Sequence, residues 1–118
     1  MQYMLLVYVD PATSPAPDSP EAQAEYGEYM AFSEAVAKQG LMVSGAPLEP
    51  VDTATTVRVH SGETVLSDGP YAETKEWLAG YYLLECPDLD TAVQHAGRIP
   101  AARHGAIEVR PVMVIPGM

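Results

Sequence analysis

Basic residues are scarce in this chain: six Lys and Arg stand against sixteen Asp and Glu, a formal net charge of −10 at pH 7. Nucleic acids and anionic membranes are bound by basic surfaces that displace counterions, so neither is an expected partner. Cysteine is scarcer still. Cys86 stands alone, which excludes a disulfide within one chain. With no secretory leader in view, that usage points to a cytoplasmic setting. No apolar run approaches the roughly 20 residues of a membrane-spanning helix. There is no phosphate-cradling glycine pattern, no serine-nucleophile elbow and no internal repeat. The three histidines, His60, His95 and His104, lack any recognisable ligand spacing, so neither a metal nor another cofactor is expected. What is present suffices for a core: 118 residues, 47% apolar and 19% charged, fit one domain over residues 1–118.

The run Tyr3 to Val9 is apolar throughout and stops at Asp10-Pro11, which predicts a strand buried on both faces. Asp10 to Pro20 holds Pro11, Pro15, Pro17 and Pro20 among small polar residues and reads as a loop. Ser19-Pro20-Glu21 then starts a helix, with a serine cap, a proline where no N–H is needed and an acid at the positive end of the dipole. The helix runs to about Gln39 and stops at Gly40, with Ala22, Tyr26, Tyr29, Met30, Val36 and Ala37 as its apolar stripe. Gly27 inside it implies a close packing contact.

Strand character resumes over Leu41 to Gly45 and breaks at Pro47 and Pro50. Thr55 to His60 alternates, Val57 and Val59 on one face and Thr56, Arg58 and His60 on the other; Ser61-Gly62 and Glu63 to Ser67 complete a hairpin. A further strand covers Leu78 to Cys86. Pro87-Asp88 opens a second helix with Leu89, Ala92, Val93, Ala96 and Ile99 as its stripe. Ala106 to Val112 closes as a strand, Ile107 and Val109 alternating with Glu108 and Arg110. The order is that of an α+β, ferredoxin-like βαββαβ split motif with an inserted β-hairpin. Both helices then cover one face of an antiparallel sheet. The other, carrying residues such as Tyr8 and Leu84, would be an apolar patch on a monomer, so a homodimer closing the two open faces is expected.

Packing alone does not account for Asp68-Gly69-Pro70-Tyr71-Ala72-Glu73-Thr74-Lys75-Glu76. Asp-Gly-Pro makes a turn, and a polar cluster follows it between two strands. In this segment the chain resembles the YCII-related family, in the branch marked by an Asp-Gly-Pro-Phe motif that here reads Asp-Gly-Pro-Tyr. Tyr3-Met4-Leu5-Leu6, Thr55-Thr56-Val57-Arg58-Val59, Gly80-Tyr81-Tyr82, Arg98-Ile99-Pro100 and Glu108-Val109-Arg110-Pro111 extend the resemblance over nearly the whole chain outside the proline-rich loop. The resemblance implies a dimeric α/β-barrel of ferredoxin-like subunits, a fold shared with small-molecule enzymes such as muconolactone isomerases. It leaves the reaction open, and some members of the branch sit beside extracytoplasmic-function sigma factors. Relatives are proposed to use a His–Asp pair with the histidine on the first helix. Here Glu21 to Gln39 holds no histidine; Tyr26, Glu28 and Tyr29 occupy that region.

Asp68 is the leading catalytic candidate, as a base or an anchor for a ligand cation; the structural alternative is a carboxylate bonded to the backbone of its own turn. His60 joins it if the face it shares with Arg58 turns inward, where imidazole and guanidinium would suit an anion; otherwise it is a solvent-facing hairpin-end histidine. Glu73, Lys75 and Glu76 read as an acid–base set or as charges guarding a strand edge. Arg110, on one face with Glu108, is a carboxylate anchor or half of a structural pair. Trp77, Tyr81 and Tyr82 read as core or interface aromatics, with Tyr81 also a candidate ligand contact. His95 is expected to be exposed, Arg103-His104 to be a loop pair able to bind an anion, and Cys86 to be inert.

The function these residues support is the binding of a small organic, anionic molecule in a dimer cleft, with lyase- or isomerase-like acid–base chemistry. Asp68 and His60 would be catalytic; Arg58, Glu73, Lys75, Tyr81 and Arg110 would bind. The alternative class is a non-catalytic accessory or regulatory module, linked to an extracytoplasmic-function sigma factor.

Overall fold

Tyr3, Leu5 and Val7 alternate with Met4, Leu6 and Tyr8, and that alternation sets the two faces of the sheet. A computed structural model describes residues 1–118, with β1 (Gln2–Val9), α1 (Pro20–Lys38), β2 (Met42–Pro47), β3 (Thr55–His60), β4 (Glu63–Asp68), β5 (Trp77–Glu85), α2 (Leu89–Ala96) and β6 (Ala106–Pro111) in order. Four strands form one antiparallel sheet in the order β2-β5-β1-β6, and β3 and β4 pair as a separate hairpin. This is the α+β, ferredoxin-like arrangement with its inserted hairpin. No helix is long and apolar enough to cross a membrane.

The core lies between the sheet and the helices. Across β1 and β5, Tyr3 faces Leu84, Leu5 faces Tyr82 and Val7 faces Gly80; on the other side Val109 and Ile107 of β6 flank Leu5 and Val7. Phe32 and Val36 of α1, and Ala92 and Ala96 of α2 with Ile99 beyond it, cover this face. Leu5, Leu84 and Ile99 are fully buried, each contributing about 1.5–3 kcal/mol of transfer free energy.

Both helices start as expected. The Ser19 hydroxyl accepts the Ala22 N–H at 3.1 Å, and the Asp88 carboxylate accepts the Thr91 N–H at 2.8 Å. Those Thr91 bonds hold the Asp88 carboxyl below the usual carboxylate range.

Four expectations are corrected. Leu84 lies on the helix-covered face, because its register opposite Tyr3 turns it inward; the open face carries Met4, Leu6, Tyr8, Tyr81 and Leu83. On α1 the packed stripe is Tyr29, Phe32, Ser33 and Val36, while Tyr26 and Met30 lie to one side, 67% and 54% exposed. Gly27 is exposed with open space where a Cβ would stand, so no close contact explains it. On α2 the packed face is Ala92, His95 and Ala96, leaving Leu89 and Val93 outside; His95 is therefore buried at 7% exposure, not exposed.

The hairpin has no core behind it. Val57 faces Leu66 across the strands, and Val57, Val59 and Leu66 are all exposed. With this arm the molecule is a slab of 47 × 46 × 19 Å.

Candidate functional site

The chain turns sharply where β1 ends. Asp10, 4% exposed, accepts the Ala12 N–H on Oδ1 at 2.9 Å, and its carbonyl accepts the Thr13 and Ser14 N–H groups at 3.1 and 2.9 Å. Thr13 Oγ1 then donates to the His104 carbonyl at 2.9 Å, tying the proline-rich loop to the 3-10 turn Pro100–Arg103 before β6. Gly105 permits this approach, since a Cβ there would run into the Tyr8 carbonyl oxygen.

Two carboxylates one turn apart on α1 grip the same 3-10 turn. His104 Nε2 lies 2.9 and 3.2 Å from the Glu25 oxygens, and the Arg103 guanidinium donates to both oxygens of Glu28 at 2.7 and 2.9 Å. Facing a carboxylate, Nε2 can only donate. The Glu25 and His104 side chains are each 14% exposed, whereas about half of Glu28 and Arg103 is open to solvent. His104 Nδ1 is buried without a partner.

Glu25 also borders a cavity of about 760 Å³ between α1 and the sheet. The helix supplies Glu25, Tyr29 and Ser33 at i, i+4 and i+8, a polar line rising about 6 Å per step. At the far end Ser33 Oγ and Tyr82 OH lie 3.2 Å apart, with the Tyr82 ring edge-on to Phe32 at 5.0 Å. The sheet supplies small residues. A Cβ at Gly45 would stand 3.1 Å from the Tyr82 ring, and one at Gly80 would stand 2.8 Å from the Ala46 carbonyl oxygen. Ser14 and Pro15 of the proline-rich loop complete the rim.

Burial, then the Glu25 charge, push the Tyr29 phenol up to about 12, so it remains a hydrogen-bond donor near neutral pH. A carboxylate oriented by an imidazole, a protonated phenol one turn away and an apolar cavity are the components of proton transfer to and from carbon.

The residues singled out in the sequence are dispersed around this site. Asp68 ends β4 opposite Thr55, and His60 ends β3 opposite Glu63. They therefore stand on opposite faces of the hairpin, about 17 Å apart along it. Arg58 shares the His60 face. The turn after Asp68 is held by backbone: Gly69, at φ +93°, donates its N–H to the Ala54 carbonyl at 2.7 Å and accepts from Thr56 Oγ1 at 2.8 Å. Glu73 is exposed; Lys75 reaches the buried Asp10 carboxylate at 3.5 Å. Arg110 stands opposite Met4 on the open face, away from the cavity. Of the seven, Tyr81 alone is among the residues around it, although its register opposite Leu6 turns its side chain to the open face. Arg103 and His104 are corrected as an anion pair, since both are engaged by α1 carboxylates.

Glu25 and His104 were not paired by sequence reasoning. The available signal was an acid inside the packed face of a helix, one turn before Tyr29. The sequence matches the YCII-related domain over residues 1–116. The chain belongs to the YCII-related family. A relative of this YCII-related chain is an uncharacterized protein of Rhizobium meliloti (strain 1021), 36% identical over 114 residues that span 95% of this chain and 92% of the relative. In this chain Glu25 stands on α1 and its histidine partner, His104, in the turn before β6.

Proposed function

We propose that this YCII-related protein binds a small carbonyl compound in the cavity under α1 and moves a proton on it, in the manner of an isomerase. One observation carries the reading: the cavity's single carboxylate, Glu25, is the one that His104 holds at 2.9 Å. Glu25 takes a proton from the carbon beside the carbonyl, and the C–H electron pair passes into the carbonyl to form an enolate. Tyr29 donates a hydrogen bond to the enolate oxygen; where a C=C bond adjoins the enolate, Glu25 returns the proton to the far carbon of that bond as the electron pair flows back from oxygen, so the double bond moves and the atom count is unchanged. Exchange of carbon-bound hydrogen for deuterium, followed by NMR over a panel of ketones and lactones, tests this. Glu25→Gln is expected to slow exchange by about 10²-fold or more; an unchanged rate would refute the role.

The same reading pairs two copies through their open sheet faces, where Met4, Leu6 and Leu83 otherwise meet water. Asp68, His60, Arg58, Glu73 and Arg110 then act through the second copy, as groups that the arm and the open face offer across the interface.

One observation favours the regulatory alternative, contact with a sigma factor: the hairpin exposes Val57, Val59 and Leu66 on one face. Stable capture of such a factor at low salt, lost with Val59→Lys, is its test.

A further inference from the structure

The charge of the cavity wall restricts what can enter. Glu25 is the only carboxylate on it, and no Lys, Arg or His joins the lining. The nearest bases, Arg103 and His104, already bond Glu28 and Glu25. An anion would thus be desolvated beside a carboxylate with no cation to receive it.

The shape restricts it further. On the sheet side Gly45, Ala46, Ala79 and Gly80 form a strip of small residues among Val7, Met42 and Tyr82, while α1 presents Tyr26 and Tyr29. Side chains at 45 or 80 would collide with the Tyr82 ring or the neighbouring backbone, so glycine at both positions lets β2 and β5 approach closely along this wall. A slot between this small-residue strip and the phenol rings takes a flat body.

The far end then offers a recognition point. Ser33 and Tyr82 share one hydrogen bond at 3.2 Å, which leaves one hydroxyl proton and several lone pairs for a ligand. Along the helix this pair lies about 12 Å from Glu25, the reach of a two-ring molecule with its oxygen substituent.

We propose that the cavity takes a flat, uncharged molecule whose oxygen, at the end away from Glu25, bonds the Ser33–Tyr82 hydroxyl pair. This rests on the reading of the cavity as the site of proton transfer and names its substrate class. An uncharged ligand replaces the anion expected from Arg58, His60 and Arg110, none of which lines the cavity.

The test compares two probes on the same naphthalene body, 2-naphthol and 2-naphthoate, titrated into the full chain while the Gly45 and Gly80 amide resonances are followed. 2-Naphthol is expected to shift both and to bind about tenfold or more tightly than 2-naphthoate. Tyr82→Phe should weaken 2-naphthol three- to tenfold, roughly one hydrogen bond. Ser33→Ala, which leaves the Phe32–Tyr82 packing alone, should do the same. Glu25→Gln should bring 2-naphthoate toward 2-naphthol. Equal or tighter binding of 2-naphthoate, indifference to both hydroxyl deletions, or no shift at Gly45 and Gly80 would each overturn the proposal.

The two readings fail separately. Should Glu25→Gln abolish deuterium exchange while 2-naphthoate outbinds 2-naphthol, the ligand class falls and the proton transfer stands. Should the probe order hold while Glu25→Gln leaves exchange untouched, the proton transfer falls and the ligand class stands.

Discussion

Arg103 closes on Glu28 with both ends of its guanidinium, at 2.7 and 2.9 Å, and so braces the turn that delivers His104 to Glu25. Bidentate pairs of this kind fix orientation as well as distance. The brace is exposed, and solvent screens much of its strength, so its contribution is chiefly to the placement of His104.

Arg103→Ala is therefore expected to fold normally, to lower the melting temperature only slightly and to slow proton exchange. The Arg103 hydrogen bond holds the Glu28 carboxyl below its ordinary value of 4.5. Whatever stability the pair contributes is present above that ordinary value and is lost as pH falls through the depressed one. Melting curves of the wild type and the variant should converge in acid, and also in high salt.

His95 predicts a second pH dependence of different origin. Burial, and secondarily the Arg98 charge, push its imidazole below the ordinary value of 6.5. The unfolded chain takes up the proton more readily, so stability is full above the ordinary value and falls as pH drops from there toward the folded one. His95→Gln, compared with wild type by urea denaturation at pH values above and below 6.5, should show a flatter dependence. Parallel slopes would exclude His95 as the source.

The two faces of the sheet separate two kinds of leucine. Leu84→Ala, inside the core, should lower unfolding stability by about 2–5 kcal/mol by denaturant titration. Leu6→Asp, on the open face, should instead convert the proposed dimer to a monomer in sedimentation, with secondary structure intact. A wild-type chain that sediments as a monomer at micromolar concentration would remove the dimer from the reading.

Gly105→Ala tests the junction of β1 and β6. Its Cβ would overlap the Tyr8 carbonyl oxygen, which belongs to strand backbone and cannot swing aside. A loss of about 2–3 kcal/mol is expected, in the upper part of the range for overpacking.

The elements were legible because each announces itself locally. Ser19-Pro20 and Asp88 mark the helix starts, Ser61-Gly62 marks the hairpin turn, and the apolar run of β1 marks a central strand. The facing of those elements was less legible. Tyr26 and Met30 fit a helical stripe as well as Phe32 and Val36 do, and hydrophobicity alone does not say which set meets the sheet. Leu84 lies in a strand apolar on both faces, so alternation could not assign it; register against Tyr3 does. Glu25 and His104 are 79 residues apart, whereas the Asp-Gly-Pro segment carries the strongest local pattern in the chain. A site assembled by tertiary contact between a helix and a distant turn leaves no spacing to read.

The base of the β3–β4 arm is closed by the backbone bond from Gly69 to Ala54 and the Thr56 contact beside it, and its tip stands at Ser61-Gly62. Adding two residues to each strand would carry the tip about 7 Å outward. The period of two returns every side chain to its original face, so Val57 and Val59 would keep theirs. The arm is thus a caliper: its span can change in fixed increments while the slab that carries it stays the same.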